Sequence, residues 1–180
     1  MSDYAADLDL IRDAAIAAGE LALSEREGGL KIWSKSGGSP VTSADMAVDR
    51  VLRATLLGAW PGYGWLSEET ADTPERLSKS RLFVVDPIDG TVAYMKGKPW
   101  WCIPIAVVED GRPIAAVIHA PALNETFAAT LGGGADQVEI GPEVVGCVAH
   151  LPAMATASNI RDGLLLAPRN SRSEPRCIRA

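Results

Sequence analysis

Two apolar runs, Cys102 to Val108 and Pro113 to His119, flank the polar stretch Glu109-Asp110-Gly111-Arg112. An Asp-Gly pair between two strand-forming runs is a β-hairpin signature, because such residues tolerate the positive φ that a tight turn demands. At least two neighbouring antiparallel strands follow from this. Glu125 to Leu131, after Pro121, predicts a third strand, and Gln137 to Ile140 a last one. Hairpin-linked strands in series predict an antiparallel or mixed sheet.

The residues before the hairpin read differently. Tyr4, Leu8, Ile11, Ala15, Ala18 and Ala22 recur at helical spacing, which predicts a helix over residues 4 to 27. Asp3 is its expected N-cap, and Gly28-Gly29 ends it. Leu30 to Trp33 could form a short strand. Ser34 to Pro40 is a polar loop in which Lys35 could meet an anion. Val41-Thr42-Ser43-Ala44-Asp45 opens a second helix running to about Ala59, capped by Thr42 or Ser43, with a mixed apolar face from Met46, Val48, Val51, Leu52, Thr55 and Leu56. Asp45 lies in its first turn, where the helix dipole favours a carboxylate. Trp65-Leu66 predicts a short strand ending in Ser67-Glu68-Glu69-Thr70, and residues 71 to 80 a surface loop. His119 reads as a hydrogen-bonded structural histidine, and Cys102 as a small core residue.

Composition narrows the classes. A chain of 180 residues, 47% apolar and 22% charged, suits a soluble globular domain with one real core. The net charge of −6 argues against nucleic-acid or membrane partners. No apolar run approaches a membrane span, and the acidic N-terminus is unlike a secretory signal, so a cytoplasmic location is expected. Cys102, Cys147 and Cys177 show no metal or disulfide spacing. Residues 1–150 are expected to form one α+β domain, and residues 151–180, with five arginines against two acids, an irregular basic tail.

Chemistry concentrates after another apolar run. Leu82 to Val85 predicts a buried strand, and Asp86-Pro87-Ile88-Asp89-Gly90-Thr91 follows at once. Pro87 cannot join a sheet ladder and forces a turn. Gly90 permits close approach of backbone to a ligand. Thr91 opens a possible helical turn, whose free amides attract anions. Two acids beside an anion site are compatible when a hard divalent cation lies between them, and such cations are shared with phosphates. The stretch therefore predicts a metal-assisted phosphate site.

These residues resemble the inositol monophosphatase superfamily, whose members are magnesium-dependent phosphatases. Asp86-Pro87-Ile88-Asp89-Gly90-Thr91 is similar to its signature. Trp65-Leu66-Ser67-Glu68-Glu69-Thr70 is similar to its upstream glutamate motif, and Val41-Thr42-Ser43-Ala44-Asp45 to its V-T-x-x-D segment. Pro121 to Phe127 resembles the stretch after its central hairpin, and the likeness runs from about residue 4 to 140. It implies a layered α+β sandwich, with two N-terminal helices packed on a mostly antiparallel sheet. It further implies that Glu68, Asp86 and the Ile88 carbonyl hold one Mg2+, that Asp86 and Asp89 hold a second, and that the amides of Gly90 and Thr91 receive the phosphate. Thr91, paired with Asp45, would orient the attacking water. Glu68, Thr91 and Asp45 are thus the expected catalytic set. The family's W-D-x-A and E-A-G-G segments have no counterpart here, so the family's C-terminal half is expected to be absent. The implied partner is a small phosphorylated substrate, inositol monophosphate or 3′-phosphoadenosine 5′-phosphate, with Ser39 to Asp45 favouring the bisphosphate nucleotidase branch. A homodimer is also implied. The alternative is a weak or inactive relative that binds metal or phosphate.

Overall fold

The computed structural model describes residues 4–35, 38–139 and 149–151. The expected cap Asp3, the cysteines Cys147 and Cys177, and the tail from residue 152 lie outside the described residues.

Helix α1 spans Tyr4–Gly28 and buries Ile11, Ala14, Ala15, Ala18 and Ala22. Gly29, at φ 93°, follows its end. Strands β1 (Ile32–Ser34) and β2 (Pro40–Thr42) form a small antiparallel ribbon. Helix α2 (Ser43–Ala59) follows directly, with Thr42 as N-cap in a reciprocal capping box with Asp45. Its buried Ala44, Val48, Leu52 and Leu56 recur every four residues, the spacing of one helix face. That face lies against α1.

The main sheet has strand order β3-β4-β5-β6-β7-β8-β9 among the described residues. Its strands are β3 (Gly64–Ser67), β4 (Arg81–Val85), β5 (Ile103–Glu109), β6 (Arg112–Ala120), β7 (Glu125–Thr130), β8 (Gly134–Glu139) and β9 (Ala149–Leu151). The predicted hairpin is β5–β6, turning at Asp110 (φ 48°) and Gly111 (φ 80°). From β4 to β9 every pairing is antiparallel, whereas β3 pairs with β4 in parallel. A parallel pair needs a crossover between its strands. Residues 68–80 supply it, including a 3₁₀ turn at Pro74–Ser78 within the stretch expected to be loop.

Helix α1 packs across β5, β6 and β7, and its buried face shares one core with Ile105, Val107 and Val117 of those strands. Its alanines let backbone and sheet approach closely. At Gly19 the approach is closest: a Cβ there would stand 2.6 Å from Pro121 Cγ and 2.7 Å from His119 Cδ2. His119 is pinned in turn, its Nδ1 2.9 Å from Thr126 Oγ1. This confirms it as a structural residue. At one sheet edge Arg81 bonds Glu109 Oε1 (2.6 Å), Asp7 Oδ2 (3.2 Å) and the Tyr63 hydroxyl (2.9 Å), tying α1, β4 and β5 together.

Gly19→Ala sets two effects against each other. Helix propensity favours alanine by about 1 kcal/mol. The collision with the buried His119 and half-buried Pro121 side chains costs about 1–3 kcal/mol, as overpacking does. The collision is expected to win, so urea unfolding of Gly19→Ala should show a lower midpoint than the parent chain.

Candidate active site

The parallel pairing of β3 and β4 places their C-terminal ends side by side, with Ser67 opposite Val85. Glu68 follows the first strand and Asp86 the second. The Glu68 amide donates to Val85 O (3.2 Å) and the Asp86 amide to Pro104 O (3.2 Å), so both acids leave the sheet edge in fixed positions. Asp89 is held by a one-residue antiparallel bridge to Cys102, with N–H···O distances of 2.9 and 3.0 Å. Between the two aspartates, the Ile88 amide donates to Asp86 Oδ1 (3.2 Å).

The chain then turns at Gly90, whose φ is 91°. A Cβ at that position would meet Trp100 O at 2.8 Å, so glycine is required by both conformation and space. Helix α3 (Thr91–Met95) starts there. Tyr94, fully buried, anchors it by donating to Ala22 O (2.6 Å) and packing edge-on against Trp101.

Thr91 and Asp45 meet across this turn. Thr91 Oγ1 lies 3.1 Å from Ile88 O and 3.4 Å from Asp45 Oδ1. Asp45 is buried, and its Oδ2 accepts from the Thr42 amide (2.8 Å) and the Thr42 hydroxyl (2.5 Å). The first-turn place of Asp45, in the capping box with Thr42, and its pairing with Thr91 are therefore both present, one through each carboxylate oxygen. All the expected residues, Asp45, Glu68, Asp86, Ile88, Asp89, Gly90 and Thr91, gather at this end of the sheet.

The electrostatics are those of crowded anions. Burial, and then the charges of Glu68 and Asp89, push Asp86 up to about 8. Burial also raises Asp89, against the relief given by the Cys102 thiol and the Gly90 amide. Lys35 supplies the local positive charge, with Nζ 3.0 Å from Glu68 Oε1 and 2.6 Å from Glu69 Oε1. Burial alone would lower its ammonium, but the two glutamates more than reverse this and its pKa stands above the ordinary value. Among the described residues, no three carboxylate, histidine or cysteine side chains are gathered around a single metal-sized point. Glu68 is engaged by Lys35 instead. The donor set still fits a hard divalent cation, because it is all oxygen and it surrounds Asp86 with the charges of Glu68 and Asp89.

Three further residues belong to this neighbourhood. Cys102 is half-buried, not a core residue as its apolar run implied, and its Sγ lies 3.7 Å from Asp89 Oδ2. Burial and Asp89 push its thiol up to about 12. Asp49, one turn after Asp45 on α2, accepts hydrogen bonds from Ser67 and from Thr70. Glu69, left open on sequence grounds, is the better shielded partner of Lys35, with its side chain 6% exposed against 53% for Glu68. The D-x-x-x-D spacing on α2 was the available signal for Asp49; an acidic helix residue usually signals solvent.

The inositol monophosphatase family matches residues 4–176, which takes the likeness past residue 140. A histidinol-phosphatase of Mycobacterium tuberculosis is 42% identical over 106 residues, covering 59% of this chain and 40% of its own length. The 3′(2′),5′-bisphosphate nucleotidase CysQ of Escherichia coli O157:H7 is 34% identical over 128 residues, covering 69% and 52%. The solved IMPase of Thermotoga maritima superposes with a TM-score of 0.67 at 32% identity, covering 73% of this chain and 50% of that one. The chain thus spans about half the length of these relatives. The fold agrees with the layered α+β architecture expected from the sequence. No helix among the described residues is long and apolar enough to cross a membrane.

Asp86→Asn tests the crowding directly. Between pH 3.8 and about 8 the unfolded chain gives up a proton that folded Asp86 retains, so stability falls as pH rises through that range. The amide should remove that part of the slope. At pH 8 in chelator, Asp86→Asn is expected to unfold later than the parent chain by about 1–3 kcal/mol, the usual span of single-residue effects. Denaturant titrations at pH 5 and pH 8 check this.

Proposed function

The chain belongs to the inositol monophosphatase family, and we propose that it is a magnesium-dependent phosphomonoester hydrolase acting on a small phosphorylated metabolite. The observation that carries this is that Glu68 and Asp86 leave the ends of a parallel strand pair together, with Asp89 bridged to Cys102 three residues on, beside a Thr91–Asp45 hydrogen bond.

Glu68, Asp86, the Ile88 carbonyl and Asp89 would hold the metal. Bound there, magnesium supplies Lewis-acid polarisation of water and of the phosphoryl oxygens. The remaining work falls to the chain. Asp45, fixed by two bonds from Thr42, and Ile88 O are the two acceptors within reach of Thr91 Oγ1, and together they would orient that hydroxyl. A water held there is oriented for in-line attack on phosphorus. The amides of Gly90 and Thr91 would receive the phosphoryl oxygens. Positioning and charge stabilisation of this kind carry most of phosphoryl-transfer catalysis.

The relatives' names point to three candidate substrates. Histidinol phosphate, inositol monophosphate and 3′-phosphoadenosine 5′-phosphate share a phosphomonoester on a small polar body. Ser39 to Asp45 favours the bisphosphate. We further propose a cytoplasmic homodimer. A second reading, a relative that binds metal or phosphate with little turnover, is favoured by the ion pair with Lys35 that engages Glu68.

Phosphate release should be measured on the three substrates, with magnesium and with chelator. We expect magnesium-dependent release from at least one. Thr91→Ala and Asp86→Asn should each lower it by about 100-fold or more, within the range for lost acid–base or electrostatic groups. Metal binding without release on any substrate would select the second reading. Release that ignores both chelator and these substitutions would refute the first.

A further inference from the structure

Glu68 and Glu69 sit in a four-residue turn, Ser67 to Thr70, whose shape decides where their carboxylates point. A single buried side chain on the neighbouring helix holds both ends of that turn. The Ser67 hydroxyl donates to Asp49 Oδ1 and the Thr70 hydroxyl to Asp49 Oδ2, the latter at 2.6 Å. Asp49 is 6% exposed and Ser67 8%. The bonds run inward from there: the Glu69 amide donates to Ser67 Oγ (3.3 Å), and the Glu68 amide to Val85 O (3.2 Å).

We propose that Asp49 is a positioning residue for Glu68, stapling both ends of the turn that carries it. The inference rests on the reading of Glu68 as a metal ligand and extends it by one shell. The chemistry suits the task. A carboxylate offers acceptor sites on both oxygens, so it can take one hydroxyl on each. Both bonds are charge-assisted, and so stronger than neutral ones. Asp49 lies four residues after Asp45, hence on the same face of α2. One rigid helix therefore supports both halves of the site: Asp45 reaches Thr91 after β4, and Asp49 reaches the turn after β3. Alanine at 49 would free the turn and leave the buried Ser67 hydroxyl and the half-buried Thr70 hydroxyl without their acceptor.

The test is calorimetric titration of the full chain with Mg2+ and with Mn2+, at a temperature where circular dichroism shows each variant folded. Supporting groups behind metal ligands typically carry about 10- to 100-fold in metal affinity. Asp49→Ala is expected to weaken binding by that factor. Asp49→Asn retains the shape and one acceptor oxygen, and should lose less. Thr70→Val removes one bond without a change of shape, and should weaken binding by about three- to tenfold, a fraction of the same effect. It decides the matter if Asp49→Ala does not fold. A merely structural role would lower the unfolding midpoint and leave metal affinity untouched. Parent-like affinity in Asp49→Ala, or in Thr70→Val where Asp49→Ala is unfolded, overturns the inference alone. A parent chain that binds neither ion overturns the phosphatase reading and this inference with it.

Discussion

The site depends on one pairing of strands. β3 and β4 run parallel with Ser67 opposite Val85, so Glu68 and Asp86 leave the sheet together. Two like charges at a partly desolvated strand end repel, and the raised pKa of Asp86 records first its burial and then that repulsion. Sheet hydrogen bonds and the buried contacts of Phe83 and Val85 hold the strands in place against it. A fold that keeps such a conflict has reserved the place for a positive charge. Lys35 supplies one from the β1–β2 side, and a divalent cation would supply a stronger one.

The surrounding structure limits how that conflict can relax. Asp86 cannot swing away, because its amide is tied to Pro104 and its Oδ1 to the Ile88 amide. Asp89 is bridged to Cys102, and Gly90 is pressed against Trp100. Tyr94 docks the following turn onto α1 through Ala22. Helix α2 completes the frame with its two buried aspartates. The carboxylates are therefore pre-positioned at their backbones, and the adjustable part is the exposed Glu68 side chain with its Lys35 partner.

Local features were legible in the sequence; long-range pairings and buried polar roles were not. The Asp110-Gly111 turn, the Thr42 cap and the alanine stripe of α1 each act within a few residues, and each formed as read. The parallel crossover from β3 to β4 did not announce itself, because Trp65-Leu66 and Leu82-Val85 are equally good strands in either direction. Asp86 and Asp89 were legible in their own motif, whereas Glu68 and Asp45 entered only through family resemblance, which carries three-dimensional proximity that spacing lacks. Asp49 escaped because an aspartate on a helix usually faces water. Its role appears only once Ser67 and Thr70 are seen to converge on it. Cys102 escaped for the opposite reason: apolar neighbours made it look like core, while the bridge to Asp89 draws it to the site edge.

The central claim is that these carboxylates form one charge-crowded site awaiting a cation. Its most direct test is the number of protons released when magnesium binds, obtained from calorimetry at pH 7 in buffers of different ionisation enthalpy. Metal ligands must be deprotonated to bind. With Asp86 at about 8, most chains carry its proton at that pH. The account predicts release of close to one proton per chain, shrinking as pH rises above 8. Magnesium binding without proton release at pH 7, or no binding at all, would contradict it.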